Sequence, residues 1–379
     1  MKYLMKNKYF YIYDSPLSKV GSTKARSDIG EILCRLGYRN RAAIFIQKLD
    51  GFSIKLENKK KYLSLMFRQL TTLLSIIYTC VTIVFIPKNS ILIINYPQAG
   101  RLRDSMTFKV AKMMKNYKNI HLIAVIHDLY SLMTGKKETN YLQTVEVLKY
   151  YDVVISHNKI MTKYLIEKGI SSKKIVNLQL FDYLLNNELE MNCRNRDTSI
   201  IIAGNLEKEK ISFLKELNFN NNISFNLYGM NFPESFNKIN NVKINYFGSF
   251  EPNKLIKELV GDFGLVWDSN SSLGGQGILG NYQRYNNPHK TSLYLAAGFP
   301  VIVWKEAALA PLILENNLGF VVDNLNELPD KISKISKEDY DMMKTNVEKI
   351  GMRIRSGYFL TEALKKAETI IEEEERLNI

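Results

Sequence analysis

Cysteine is scarce in this sequence of 379 residues. The three cysteines, Cys34, Cys80 and Cys193, lie far apart and are odd in number, so neither a disulfide framework nor a cysteine metal site is predicted. A reducing compartment fits this pattern, and the predicted location is the cytoplasm. The amino-terminal stretch MKYLMKNKYFYIYDSP lacks the long apolar core and the small-residue cleavage site of a signal peptide. It is therefore predicted to contain a first strand.

Two ligand-binding motifs are also missing. No G-x-G-x-x-G follows the first predicted strand, which disfavours a dinucleotide cofactor. No predicted strand ends in Asp-x-Asp, the carboxylate pair that would hold a divalent ion, and this argues for chemistry without a metal. The basic clusters contain no interleaved aromatic residues, so nucleic acid is the weakest candidate partner. No cofactor is predicted.

Positive charge is concentrated in the first half of the chain. Residues 1–190 carry 30 Lys and Arg against 14 Asp and Glu, whereas the remainder carries 22 against 24. A basic surface of this kind predicts peripheral contact with an anionic membrane, or an acidic acceptor. The alternative is a lysine-rich compositional bias without a specific use.

One long segment, residues 70–87, contains no charged side chain over nearly a membrane-spanning length. It also contains four threonines, a serine and a cysteine, and a buried-strand pattern follows it at once. These features favour a core helix followed by a turn and a strand over a membrane span.

Short apolar strands alternate with helical patterns, and this rhythm occurs twice. The first half contains predicted strands at 9–13, 43–46, 91–95, 121–126 and 152–156, with helices at 27–36, 106–117 and 140–149. The second half contains predicted strands at 199–203, 224–228, 244–247, 263–267 and 300–304. A polar, aperiodic stretch at 186–198 separates the halves. The predicted fold class is α/β, with two Rossmann-like domains at 1–190 and 191–360 and a final helix at 361–379 that packs back across their junction.

Residues 261–304 are the most informative part of the chain. They predict a strand, a glycine-rich loop, a helix, a tight turn and a strand, the order in which an α/β domain presents a phosphate-bearing ligand. Pro288 suits the first helical turn, where N–H groups and the helix dipole favour an anion. The predicted phosphate ligands are the loop glycines Gly274 and Gly275, the amides of Asn286 and Asn287, and the ammonium of Lys290.

These segments resemble a known family. The stretches LAAGFPVIVW, IIAGNL and SGYFLTEAL are typical of GT-B glycosyltransferases. More specifically, RYNNPHKTSLYLAAGFPVIVWKEAALAPLILENNLGF, with GSTKARSDI, NYPQAGRLRD and VIHDLYSL, resembles the bacterial β-1,6-galactofuranosyltransferase and glucosyltransferase 3 group. The resemblance covers most of the chain.

The resemblance implies a GT-B fold, in which two Rossmann-like domains with parallel sheets face an interdomain cleft. It implies transfer of a galactofuranosyl, glucosyl or galactosyl unit from a UDP-hexose to a glycan or glycoprotein acceptor, lipid-linked acceptors included, in bacterial surface polysaccharide or glycoprotein synthesis. It also implies a homo-oligomer. Transfer generates charge on the leaving diphosphate, so donors such as Lys290 must bind more strongly in the transition state.

The nucleotide is predicted to bind at the carboxyl ends of strands in the second domain. The candidate contacts are Gly204, Asn205, Tyr228, Gly229, Phe247, Gly248, Asp268 and Tyr285. Phe247 could stack on the base and Asp268 could accept from a sugar hydroxyl, whereas Tyr285 lies in a polar loop that is poor core material. The alternative for each aromatic residue is a place in the core, and for Asp268 the end of a strand.

Stereochemistry is predicted from an absence. Retaining GT-B enzymes with a similar turn usually carry a Glu-x7-Glu pair, but residues 277–295 contain no acidic residue, which favours inversion. Inversion needs a base in the first domain to deprotonate the acceptor hydroxyl. Asp128 and His127 follow a predicted strand and rank first, and Asp14 follows another. Each could instead be a helix cap or a structural residue.

Two other functions compete with this one. A sugar-nucleotide epimerase or dehydrogenase is weakened by the missing G-x-G-x-x-G. A non-catalytic glycosyltransferase-like subunit that stabilises a partner enzyme is weakened by Lys290 and the Asn-Asn-Pro-His sequence, because such a subunit need not keep an anion pocket.

Overall fold

A computed structural model describes residues 7–11, 21–41, 61–97, 101–135, 145–185, 198–219, 223–239 and 241–377. The elements of the first half, in chain order, are β1 Lys8–Tyr11, α1 Gly21–Arg35, β2 Arg39–Asn40, α2 Lys61–Val84, β3 Ile91–Tyr96, α3 Arg101–Lys118, β4 His121–Ile126, α4 Tyr130–Thr134, β5 Val153–Ser156, α5 Lys159–Glu167 and β6 Ile175–Asn177. A 3-10 helix, Val145–Tyr150, precedes β5.

The elements of the second half are β7 Thr198–Asn205, β8 Ile223–Met230, β9 Lys243–Tyr246, α6 Pro252–Glu258, β10 Phe263–Val266, α7 Gly277–Tyr282, α8 His289–Ala296, β11 Val301–Trp304, α9 Ala310–Glu315, β12 Gly319–Val322, α10 Leu328–Ser333, α11 Lys337–Ser356 and α12 Tyr358–Leu377. Shorter 3-10 helices lie at Ser172–Lys174, Ser212–Lys215, Glu234–Lys238 and Leu325–Glu327.

The strands form two parallel sheets of six strands each, in the orders β2-β1-β3-β4-β5-β6 and β12-β11-β10-β7-β8-β9. The strands are rich in isoleucine and valine because both faces of a parallel sheet are covered. Thus every residue of β3, ILIINY, is buried, and so is every residue of β10 and β11. The predicted α/β fold with two parallel sheets is confirmed.

Most predicted strands appear within one or two residues of their observed bounds. Three observed strands, β2, β6 and β12, were not predicted, since runs of two to four residues carry little periodic signal. The predicted strand at 43–46 and residues 140–144 of one predicted helix lie outside the described residues, whereas 145–150 form a 3-10 helix. The predicted division at residue 190 also falls outside the described residues and stays a prediction.

The helix α2 is present, but its assignment as a core helix is wrong. Only 29% of its most apolar stretch, Leu65–Val84, is buried. Among the described residues this is the one helix long and apolar enough to cross a membrane. The uncharged run therefore forms a surface helix with one buried face.

The last helix, α12, lies across the first sheet. Lys8 of β1 and the Tyr38 hydroxyl both bond the Glu368 carboxylate at 2.7 Å, and His121 of β4 lies 2.7 Å from Glu375. The carboxylate of Asp182 accepts the N–H groups of Phe359 and Leu360, at 3.1 and 2.8 Å, and so caps the start of the helix. The carboxyl-terminal helix therefore ties the two halves together.

Candidate active site

The carboxyl ends of the two sheets meet at Asp128 and Tyr282. Asp128 follows β4 in the first sheet, and Tyr282 is the last residue of α7, which follows β10 in the second. The Tyr282 hydroxyl donates to Asp128 Oδ1 at 3.2 Å and accepts the backbone N–H of Leu129 at 2.9 Å. The carboxyl edges of both sheets therefore face the same gap, which is where ligands of α/β sheets bind.

Asp128 has the properties of a base. Burial raises its pKa to about 6, although the Tyr282 hydrogen bond and the Arg26 charge oppose this rise. At neutral pH the carboxyl group is therefore ionised, and it is more basic than an exposed aspartate. The raised pKa keeps Asp128 a candidate for the proton acceptor that the sequence predicts at this strand end.

His127, the second predicted base, is less suited to that role. Its ring lies against Phe181, with ring centroids 6.1 Å apart, and its Nε2 is buried without a hydrogen-bond partner among the described residues. Burial, and then the charge of Arg26, hold its pKa well below the usual range. The imidazole is therefore neutral at neutral pH, and its Nε2 is turned away from solvent in this structure. Asp14 lies outside the described residues and stays a prediction.

Lys290 lies beside the end of β10. Its Nζ is 2.5 Å from Asp268 Oδ1 and donates to the Trp267 carbonyl at 3.0 Å. The two side chains keep 22% and 29% of their surface exposed. The charged pair is therefore accessible, and an incoming phosphate would compete with Asp268 for the ammonium.

The residues just before α8 have a different role from the predicted one. Asn287 donates through Nδ2 to the carbonyls of His157 and Gln179, at 2.8 and 2.7 Å, and accepts from Asn158 at 2.7 Å. Because both amide hydrogens are used, Asn287 belongs to the domain junction and has no donor left for phosphate. The Oδ1 of Asn286 is buried without a partner among the described residues.

Tyr285 also lies in this junction. Its ring packs edge-on against Tyr164 of α5, with centroids 5.5 Å apart, and its carbonyl accepts from Asn158 at 2.9 Å. Tyr285 therefore contacts the first domain, and its predicted contact with a nucleotide stays a prediction.

The loop glycines Gly274 and Gly275 accommodate an indole ring. A β-carbon at either position would lie 2.0 or 2.3 Å from the ring of Trp304. The N–H of Gly274 is directed to the Asp323 carbonyl at 3.4 Å. These glycines allow close packing of the loop on β11, and they do not form the predicted anion cradle.

The ends of β7 to β9 divide into structural and accessible positions. Tyr228 is fully buried and its hydroxyl accepts the Val260 N–H at 3.1 Å, so it is a core residue and not a ligand contact. A β-carbon at Gly229 would lie 1.7 Å from the Gly204 carbonyl, so this glycine is required by the approach of two strands.

The other positions at these strand ends are accessible to a ligand. The Phe247 ring stacks on Tyr228 with centroids 4.9 Å apart, and 45% of Phe247 is exposed. No atom lies within 4 Å of a β-carbon built at Gly204 or Gly248. Asn205 Oδ1 accepts from Asn231 Nδ2 at 3.0 Å. A flat ring could lie on Phe247 while its polar groups reach the backbone at the neighbouring strand ends.

Family models identify both halves of the chain. The model for the amino-terminal domain of glucosyltransferase 3-like proteins matches residues 11–180, and the model for the carboxyl-terminal domain matches residues 200–367. The chain is 33% identical over 281 residues to the β-1,6-galactofuranosyltransferase WbbI of Escherichia coli K12, a match that spans 73% of this chain and 78% of WbbI. The chain belongs to the glucosyltransferase 3-like family.

Glucosyltransferase 3 of Streptococcus gordonii is a second relative, 30% identical over 247 residues, or 64% of this chain and 69% of that protein. Solved structures show the same fold. Sucrose-phosphate synthase of Thermosynechococcus elongatus aligns with a TM-score of 0.57 and 12% identity over 98% of this chain and 99% of that one. HepE of Anabaena in complex with UDP-glucose aligns with a TM-score of 0.57 and 14% identity over 96% and 99%. This glucosyltransferase 3-like protein is therefore a glycosyltransferase with the GT-B fold.

Two residues of this family member were missed by sequence reasoning. Tyr282 lies in a glycine-rich segment and bonds Asp128 from 154 positions away. Arg26 lowers the pKa of Asp128 through its charge and donates from Nη2 to the Pro97 carbonyl at 3.4 Å. No local pattern distinguishes either residue, because both act through contacts between distant segments.

Proposed function

We propose that the protein transfers a hexosyl unit from a UDP-hexose to a glycan or glycoprotein hydroxyl, with inversion and without a metal ion. The names of the relatives support glucose or galactofuranose as the sugar, and HepE, which shares the fold, binds UDP-glucose. We place this transfer in the cytoplasm, in the synthesis of bacterial surface glycans or glycoproteins.

The observation that carries the proposal is the environment of Asp128. A base for sugar transfer must be ionised yet basic, and must lie at the gap where the acceptor meets the donor. Asp128 satisfies both conditions, because burial raises its pKa to about 6 and its partner Tyr282 comes from the opposite domain. In the proposed reaction the acceptor hydroxyl attacks the anomeric carbon, its proton passes to Asp128, and UDP leaves with the bonding electron pair.

The second domain supplies the donor side of the reaction. We assign the uracil to the exposed face of Phe247 and the diphosphate to Lys290, with Asp268 displaced from the ammonium when phosphate binds. Lys290 then neutralises charge that grows on the leaving UDP. The open strand ends at Gly204 and Gly248 leave room for the ribose.

Inversion is supported by the distribution of carboxylates. Residues 277–295 carry no acid that could stabilise a retained configuration. Glu306, the next acid along the chain, is paired with Arg284 on the surface.

Metal independence is supported by the position of the Asp-x-Asp motif, which would hold a divalent ion at the end of a strand. The chain contains one Asp-x-Asp, at Asp339 and Asp341, but it lies in α11, where Asp339 accepts from the Ser336 hydroxyl at 2.7 Å.

A donor screen tests the proposal. The purified chain is mixed with UDP-glucose, UDP-galactose and UDP-galactofuranose, and both the melting temperature and the release of UDP are measured, with and without EDTA. We expect at least one donor to raise the melting temperature and to release UDP without nicotinamide, in EDTA as well. Failure to bind UDP at all would remove the proposal, and loss of turnover in EDTA would remove its metal-free part.

A further inference from the structure

The outer face of α2 is apolar and uncovered. The residues Leu70, Leu73, Leu74, Ile77, Val81 and Phe85 form one stripe at the helical spacing, and each is between 43% and 76% exposed. Contiguous apolar surface of this kind on a soluble protein marks an interaction site.

The opposite face of α2 carries hydroxyl groups and is buried. Thr71, Ser75 and Thr79 are each at most 1% exposed, and Thr79 donates to the Ser75 carbonyl at 2.8 Å. The Tyr11 hydroxyl of β1 donates to Thr82 Oγ1 at 2.8 Å. A surface helix in water normally presents its polar face outward, so α2 has the polarity expected for an apolar surrounding.

The helix is also fixed to the protein. Ile83 and Ile86 belong to the core of the first half, and Lys118 of α3 donates to the carbonyls of Val84 and Ile86 at 2.6 and 3.1 Å. A helix that crossed a bilayer would have to leave these contacts. The apolar face can therefore contact another surface only with the axis of α2 parallel to that surface.

The sequence around α2 is almost entirely positive in charge. Residues 58–118, which include α2 and α3, contain eleven Lys and Arg and one acidic residue, Asp104. The two helices pack against each other, so the basic residues of α3 belong to the element beside α2. Among them, Lys109 is exposed and Lys112 is half-buried.

We propose that α2 docks this molecule on an anionic phospholipid bilayer, lying in the interfacial plane with its apolar stripe among the upper acyl chains. An apolar face beside basic residues is the combination that binds such surfaces, through buried area and attraction to anionic lipids. The 24 residues of α2 would extend about 36 Å along the surface. A second copy of the chain would also cover an apolar face, but two copies would bring like positive charges together.

Vesicle flotation tests the proposal. The full chain is mixed with vesicles of phosphatidylcholine, with or without phosphatidylglycerol, and compared with a variant carrying Leu70→Gln, Leu74→Gln and Ile77→Gln. We expect the wild-type protein to float with the anionic vesicles, and to float less at high salt. The partition coefficient of the variant should fall by at least about tenfold, because burying even one such side chain in an apolar environment raises a binding constant by about that factor. The substituted side chains point outward, so the melting temperature should be kept.

A matched control replaces three exposed apolar residues of the second half, Leu314→Gln, Met342→Gln and Met352→Gln, which are 53%, 56% and 54% exposed. This variant should float like wild type. The single change Ile77→Gln, with a smaller loss, serves if the triple variant does not fold. The proposal is overturned if wild type does not float, if the α2 variants float equally, or if light scattering shows a wild-type dimer that the α2 changes dissociate without any vesicle binding. Each readout is independent of UDP release, so failure here leaves the proposed transfer intact.

Discussion

At the scale of single residues, two aspartates at strand ends acquire different chemistry from their neighbours. Asp128 is buried beside a hydroxyl and its pKa is raised to about 6, whereas Asp268 lies 2.5 Å from the Lys290 ammonium. In the proposed reaction the first carboxylate accepts a proton from the acceptor hydroxyl, and the second holds the Lys290 ammonium until phosphate binds. The different surroundings of the two carboxylates support these two proposed roles.

Replacement of the base should slow the reaction without weakening the donor complex. We expect Asp128→Asn to lower kcat by about 10² to 10⁴, the usual contribution of a positioned base, and to leave the Kd for UDP unchanged. Steady-state kinetics and calorimetry measure the two quantities. Asp323→Asn, which alters an exposed pair with Lys305, is the control. A variant that keeps most of its kcat would show that Asp128 is not the base.

The pH dependence of the wild-type rate should report the same carboxyl group. A base with a pKa of about 6 is protonated below that pH, so kcat/KM should fall as pH decreases through about 6 and level off above it. The profile is measured in buffers of constant ionic strength. A rate that stays flat down to the pKa of an exposed aspartate would contradict the raised pKa of Asp128.

Loss of the Lys290 ammonium should act on the nucleotide. We expect Lys290→Ala to weaken UDP binding by about tenfold or more, because a hydrogen bond to a charged group contributes about 1.5 to 3 kcal/mol. Titration calorimetry with UDP is the measurement, and Lys305→Ala, at an exposed lysine, is its control. Equal affinity in both variants would place the diphosphate elsewhere.

At the scale of elements, the sequence predicts strands better than it predicts what their loops touch. The buried strands β3, β4 and β10 are visible as apolar runs, because burial on both faces is a local property of the sequence. The segment before α8 was predicted to bind phosphate because its proline and lysine form a short pattern that is visible in the sequence itself. That Asn287 bonds His157, 130 positions away, is a property of the tertiary fold alone.

The Asn287 junction can be separated from ligand binding. Asn287→Ala would remove three buried or half-buried side-chain hydrogen bonds, with the carbonyls of His157 and Gln179 and with the Asn158 amide, so we expect a loss of about 1 to 3 kcal/mol in unfolding free energy, or more, with UDP affinity kept. Denaturant unfolding and UDP titration are compared in the same variant. Weaker UDP binding at unchanged stability would restore Asn287 to the phosphate site.

At the scale of the whole molecule, two six-stranded sheets are joined by a continuous apolar cluster and by α12. The cluster includes Ile93 of the first sheet, Val303 of the second and Leu364 of α12. The twofold rhythm of strands predicts this architecture from sequence. The sequence alone does not predict that the Tyr282 hydroxyl donates to Asp128, since this hydrogen bond depends on how the two domains pack.

Real-time NMR of slow donor hydrolysis tests the central claim most directly, because water then takes the place of the acceptor and no acceptor needs to be known. If Asp128 activates the attacking oxygen opposite the leaving diphosphate, UDP-α-glucose or the preferred UDP-α-hexose should yield UDP together with the β-anomer of the free sugar, before mutarotation mixes the anomers. Appearance of the α-anomer first would contradict inversion, and no UDP from any donor would contradict the proposed transferase.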